Sequence, residues 1–177
     1  PYLEVLQDIN APYGMYAVFG NHDYVLKDKD LMALKGLLES YGCRVLQNEN
    51  ESIQVQNRNV NIIGIDDYST NRSDLAKAYH HITDGINIVL THDPTVVLDM
   101  HDYSFDYLMA GHFHGGQICY PKAYHLVKMG KLARKNIIKG LHTHHKKKFY
   151  ISEGLGQTGL NIRVGSRPEI TFHDISI

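Results

Sequence analysis

The stretch Ala110-Gly111-His112-Phe113-His114-Gly115-Gly116-Gln117 constrains this chain more than any other. Two histidines one residue apart sit among glycines, directly after the apolar run Tyr107–Ala110. With few bulky side chains around them, the two imidazoles suit capture of a metal ion better than packing. Two further polar clusters follow apolar, β-like runs in the same way: Gly20-Asn21-His22-Asp23 and Thr91-His92-Asp93-Pro94. Taken singly, these read as an Asx turn and as an extended turn before proline. Taken together, three ligand clusters at three strand ends is how an α/β chain assembles a metal site.

Composition narrows the setting. Histidine is the outlier, at 12 of 177 residues, in a chain without tryptophan. A net charge of −1 argues against a partner held by whole-surface electrostatics, so duplex nucleic acid is not expected. The length suits one domain over residues 1–177 with a real core. Cys43 and Cys119 stand alone with no C-x-x-C, which predicts two free thiols and no thiolate zinc site. No apolar run approaches the roughly 18 residues of a membrane-spanning helix.

Periodicity places the clusters. Leu3, Leu6 and Ile9 predict a helix over Tyr2–Asn10, and Met15–Phe19 reads as a strand broken at Gly20. Leu31, Leu34, Leu37 and Leu38 predict an amphipathic helix over Lys27–Tyr41, closed by Gly42. Arg44–Gln47, Ser52–Gln56 and Val60–Ile65 read as strands. Ser73-Asp74 opens a helix over Leu75–Ile82, which would place His80-His81 on its solvated face. Ile86–Leu90 has the pattern of a strand buried on both faces. Thr95–Met100 reads as a short helix, Tyr107–Ala110 as a strand, and Phe149–Ser152, Asn161–Val164 and Glu169–Ile175 as closing strands. Early alternation of strands and helices, with strands dominating late, predicts a mixed sheet or two stacked sheets with outer helices.

Neutral imidazole suits Mn, Zn or Fe, and asparagine adds a hard carbonyl oxygen. Two such ions held about 3.5–4 Å apart clamp the attacking and leaving oxygens of a phosphoryl transfer and supply hydroxide at neutral pH. A dinuclear site also needs a bridging carboxylate, and neither Asp23 nor Asp93 is obviously one.

These residues resemble a known family. Gly20-Asn21-His22-Asp23, the His92 segment and Gly111-His112-Phe113-His114 resemble the last three signatures of the calcineurin-like metallophosphoesterase superfamily. The likeness extends to its often membrane-tethered bacterial phosphodiesterases through Ala11-Pro12-Tyr13-Gly14, Gly115-Gly116-Gln117-Ile118 with Pro121, and the tail from Glu153-Gly154-Leu155-Gly156 to Arg167-Pro168-Glu169-Ile170. The resemblance implies an α/β sandwich of two stacked mixed β-sheets flanked by helices. It implies that Asn21, His92 and His112 hold the second of two divalent metal ions (Mn, Zn or Fe), and that His114 holds the first. It implies that His22 contacts the phosphate and protonates the leaving oxygen. The family's opening Asp-x-His and Gly-Asp-x-x-Asp do not stand ahead of Asn21. The expectation is therefore a domain lacking its first strand–helix–strand, with any membrane anchor preceding it and the 177-residue chain itself inactive. The implied substrate is a phosphoester small molecule or lipid-linked compound, cleaved by a phosphodiesterase. A UDP-diacylglucosamine-type pyrophosphohydrolase and a catalytically dead metal-binding remnant are the alternatives.

Three features fall outside that pattern. The basic segment Pro121–Lys148 includes His125, Lys128, His142, His144 and His145, and its end reads as a solvated loop or as a flap that binds anions. Asp66-Asp67, after the Val60–Ile65 strand, reads as an ordinary strand-end loop, with a functional carboxylate pair as the alternative. Arg163 and Arg167 can either pair with phosphate or hold the tail against the core.

Overall fold

The computed structural model describes residues 2–120 and 130–176. It is an α/β chain of mixed strands and short helices that folds as two compact units, Pro1–His92 and Asp93–Ile177. Pro121, His125 and Lys128 lie outside the described residues.

The first unit opens with a 3-10 helix over Tyr2–Asp8 where an α-helix was expected. Leu3, Leu6 and Ile9 recur every third residue, which is the repeat of the tighter 3-10 form. Strand β1 (Met15–Ala17) pairs in parallel with β2 (Cys43–Val45), and helix α1 (Asp28–Ser40) connects them. Asp28 and Asp30 lie in the first turn of α1, where carboxylates favour the positive end of the helix dipole. The expected terminator is in place: Gly42, at φ 79°, donates its N–H to the carbonyl of Glu39.

Strands β3 (Glu49–Val55) and β4 (Arg58–Ile65) form an antiparallel hairpin. Its two-residue turn, Gln56-Asn57, has positive φ at both positions (50° and 64°), as a hairpin of this length favours. Strand β5 (Ile86–Thr91) runs parallel to β4. The polar Asn87 inside β5 is paired: Asn61, fully buried on β4, donates to its side-chain oxygen at 2.7 Å. Helix α2 spans only Leu75–Ala78, capped by Asp74, whose carboxylate accepts from the N–H of Lys77 at 2.9 Å. His80-His81 thus lie beyond the helix, which does not continue into the left-handed backbone of His81 (φ 58°).

In the second unit β6 (Tyr107–Ala110) runs parallel to β8 (Lys147–Ile151), and β7 (Gly140–His144) is antiparallel to β8. The segment read as a basic loop or flap is therefore a hairpin. His144 pairs with Lys147 across the two-residue turn His145-Lys146, at φ 47° and 67°. Helix α3 (Gly130–Arg134) packs on a 3-10 helix over Pro94–Asp99, the short helix expected there. Leu108, Phe113, Phe149, Ile151, Val96, Val97 and Leu132 form the core.

The expected strands Asn161–Val164 and Glu169–Ile175 do not form; an isolated bridge joins Ile118 to Val164. Side chains hold this segment instead. Arg163 donates to the carbonyls of Glu153 at 2.8 Å and Gly154 at 3.1 Å, and also to Gly156 and Arg167. The carboxylate of Glu169 accepts from the N–H of Glu153, Tyr150 Oη, Ser152 Oγ and Thr171 Oγ1.

Candidate metal centre

Each proposed ligand cluster stands just beyond the carboxyl end of a strand that has a parallel partner: β1, β5 and β6. Open α/β sheets place ligand sites at such ends.

In the first unit the chain leaves β1 and turns tightly at Gly20. The N–H of Gly20 donates to Asp23 Oδ2 at 2.8 Å, and the N–H of Asp23 donates to the carbonyl of Gly20 at 3.0 Å. Asp23 is thus a positioning residue for the loop. Asn21 Oδ1 stands 2.9 Å from His92 Nε2, bringing together two of the residues expected to share one ion, although they are far apart in sequence. The imidazole of His92 lies flat enough on Gly20 that a Cβ there would meet ring atoms at 2.7 Å. A side chain at position 20 would push the ring away. His22 is exposed and makes no side-chain cap on the 3-10 turn Asp23–Val25 that it precedes.

Tyr24, in that turn, ties the loop to the end of β4. Its hydroxyl donates to Asp66 Oδ1 and accepts from Gln47 Nε2 at 3.1 Å. The Arg72 guanidinium lies 4.1 Å from the centre of its ring. Burial, then the bond to Asp66, pushes the Tyr24 pKa well above the usual phenol value. Burial also raises the Asp66 carboxyl, against the Tyr24 and Asp67 hydrogen bonds and the charge of Arg72. Asp66-Asp67 is a buried pair at a strand end, and Asp67 Oδ2 caps the next turn, accepting from Ser69 Oγ at 2.7 Å and from the N–H of Thr70 at 2.9 Å.

In the second unit His112 is buried, not on an exposed turn, and its Nε2 lies 3.9 Å from the equally buried Asp93 Oδ2. Asp93 also accepts from the N–H of Thr95 at 2.8 Å, capping the Pro94–Asp99 helix. The backbone from His112 onward is held in the left-handed region at His112 (φ 72°), His114 (49°), Gly115 (60°), Gly116 (89°) and Gln117 (50°). Non-glycine residues rarely adopt that conformation, and such strain concentrates at ligand sites. Surrounding bonds enforce it. The carbonyl of His114 accepts from Ser166 Oγ at 2.6 Å and from Arg163 at 3.4 Å. His114 Nδ1 faces Gln117 Oε1 at 3.3 Å. Gln117 is itself buried and clamped, donating to the carbonyls of Thr158 and Leu160 at 2.9 Å each.

Arg163, left open between phosphate and tail, donates to backbone carbonyls and to Ser166, and so positions the His114 loop. Gln117 and Ser166 were not expected as supports. The Gly115-Gly116-Gln117 signature hints at the first, but nothing local points to Ser166. Both thiols are free as expected, Cys43 buried and Cys119 half-buried.

Asn21 Oδ1 and His92 Nε2 are hydrogen-bonded to each other at 2.9 Å, and an amide oxygen beside an imidazole nitrogen is a donor set that suits a divalent cation. Among the described residues, no three His, Cys, Asp or Glu side chains form a ready cage.

The chain is 65% identical, over 98% of its length, to a protein of Bacillus subtilis called uncharacterized metallophosphoesterase YkoQ. The chain is thus similar, over nearly its whole length, to proteins named metallophosphoesterases. It is also 28% identical, over 96% of its length, to metallophosphoesterase YkuE of the same organism. Phosphodiesterase YaeI of Escherichia coli is 26% identical over 97% of the chain. The chain spans 64%, 58% and 62% of these three relatives' own lengths. No protein-family model matches the chain, and no solved structure does. Among the described residues, no helix is long and apolar enough to cross a membrane.

Proposed function

We propose that the chain carries metal-binding strand ends of a metal-dependent phosphoester hydrolase, most simply a phosphodiesterase working at a dinuclear site with water as nucleophile. The observation that carries the reading is that Asn21 and His92, 71 positions apart in sequence, meet through a hydrogen bond of 2.9 Å between Asn21 Oδ1 and His92 Nε2, two atoms of the types that ligate divalent ions. Bound divalent ions supply Lewis acidity and a hydroxide at neutral pH. The chain's own residues divide the remaining work. Asn21, His92 and His112 hold one ion and His114 the other, all within a single domain over residues 1–177.

Gly20, by leaving room for the His92 ring, fixes that ligand's orientation. Asp93 Oδ2, 3.9 Å from His112 Nε2, would place negative charge beside that ligand. His22, exposed beside Asn21, can turn towards a bound phosphoester and protonate the leaving oxygen. The names of YaeI and of UDP-2,3-diacylglucosamine pyrophosphatase LpxG of Chlamydia muridarum, 26% identical over 93% of the chain, favour small or lipid-linked phosphoesters.

The test is hydrolysis of an aryl phosphodiester by the full-length protein with Mn²⁺, with chelator, and with Mn²⁺ restored. Turnover lost to chelator and recovered with Mn²⁺ supports the proposal. Turnover indifferent to chelator overturns it.

A further inference from the structure

A second cluster of histidines lies away from these ligands, in the second unit. His144 ends β7, His145 forms the hairpin turn and Lys147 begins β8. Because Tyr107 pairs with Lys148 and Ala110 with Ile151, this cluster sits at the opposite end of β6 and β8 from His112. With His101 it surrounds a cavity of about 320 Å³, floored by Val97, Met100 and Phe105. That volume is at the lower end for a small-molecule site.

The cavity lining carries a lysine and no negative charge. Its polar members are His101, His144, His145 and Lys147, with no carboxylate among them. Asp99, Asp102 and Asp106 belong to the same stretch of chain but do not line it. The rings crowd together: His144 and His145 have centroids 4.2 Å apart, and His145 and His101 5.8 Å. Nε2 of His144 is buried without a hydrogen-bond partner among the described residues, an arrangement that costs free energy unless something occupies the space beside it. Burial first, then the charges of His145, His101 and Lys135, push the His144 imidazole below its usual pKa. Lys147 Nζ donates to the carbonyl of Tyr103 at 3.0 Å and lies 5.1 Å from the centre of the Phe105 ring, leaving it further N–H groups.

We propose that this cavity binds a small organic oxyanion, a phosphate or phosphonate carried on an aromatic or aliphatic body. The apolar floor of Val97, Met100 and Phe105 takes the body. Lys147, His101 and the orphaned His144 nitrogen take the anionic oxygens, which would give His144 the partner it lacks. A metal ion suits the place less well, because the Lys147 ammonium stands in the same lining.

The experiment follows the His144 ring by NMR in the full-length protein, with histidine labelled in the imidazole. Phenylphosphonate, which has no ester bond to hydrolyse, is the first probe. It should shift the His144 resonances saturably and bind more tightly than inorganic phosphate, whereas benzylammonium should shift nothing. His101→Ala and Lys147→Gln should each weaken phenylphosphonate by about tenfold, the worth of one charge-assisted hydrogen bond. His112→Asn should leave the shift unchanged, which separates this cavity from the strand-end ligands. The inference is overturned if phenylphosphonate leaves His144 unmoved, if benzylammonium binds equally well, if Zn²⁺ saturates the site in place of the anion, or if neither variant weakens binding.

Discussion

His92 Nε2 stands 2.9 Å from Asn21 Oδ1, and the His92 ring rests on Gly20 with no room for a Cβ between them. The donor pair is therefore set by the absence of a side chain one position before Asn21. Gly20→Ala should displace the ring, lower the affinity of the site for Mn²⁺ and cost about 1–3 kcal/mol of stability through overpacking. Calorimetric titration with Mn²⁺ beside a denaturant melt checks both. An unchanged affinity would mean that the ring position does not matter to the metal.

His112 is buried against Asp93, so removing its imidazole has two consequences. His112→Ala should abolish turnover and also destabilise the fold by about 1–3 kcal/mol, because the Asp93 carboxylate loses a buried polar neighbour. His112→Asn keeps a polar group there and should lose turnover with a smaller stability cost. Loss of structure in both variants, read by circular dichroism, would make His112 a structural residue. His114, half-buried, should lose activity on substitution by Ala with little change in stability.

The exposed imidazole of His22 should act on the leaving group and not on metal retention. His22→Ala should slow esters with poor leaving groups by about 10²–10⁴-fold and good ones far less. Metal content by plasma mass spectrometry should stay near wild type. Loss of metal would reassign His22 as a ligand.

Much of this site can be read along the chain, and some of it cannot. The three clusters are legible because β1, β5 and β6 are apolar runs that end abruptly in His, Asn and Gly. The hairpin of β7 and β8 is hidden because polar Thr143, His142 and His144 mask the alternation, and its turn is His145-Lys146 in place of a glycine-containing pair. Asn161–Val164 and Glu169–Ile175 have the composition of strands, yet Phe172 is 94% exposed. Side-chain bonds from Arg163 and to Glu169 hold that segment, and no periodicity announces such bonds. Tyr24 and Asp66 meet 42 positions apart in sequence, which only the fold brings about.

The same tail should be acid-labile. Burial raises the Glu169 carboxyl, but hydrogen bonds from Glu153, Tyr150, Thr171 and Ser152 outweigh it and leave the pKa below the ordinary carboxylate value. A depressed folded-state pKa contributes stability above the unfolded value, and that stability is lost as pH falls through the folded one. Protection of the tail amides in hydrogen exchange should therefore drop below about pH 4, and Glu169→Gln should remove that dependence. A pH-independent tail would contradict the assignment.

The most direct test of the metal centre is anomalous scattering from crystals of the full-length protein grown with Mn²⁺. A manganese peak is expected about 2.1–2.3 Å from both Asn21 Oδ1 and His92 Nε2, and it should be lost in His92→Ala. A peak that avoids this pair, or that persists unchanged in His92→Ala, would contradict the assignment of these two residues as ligands of one ion.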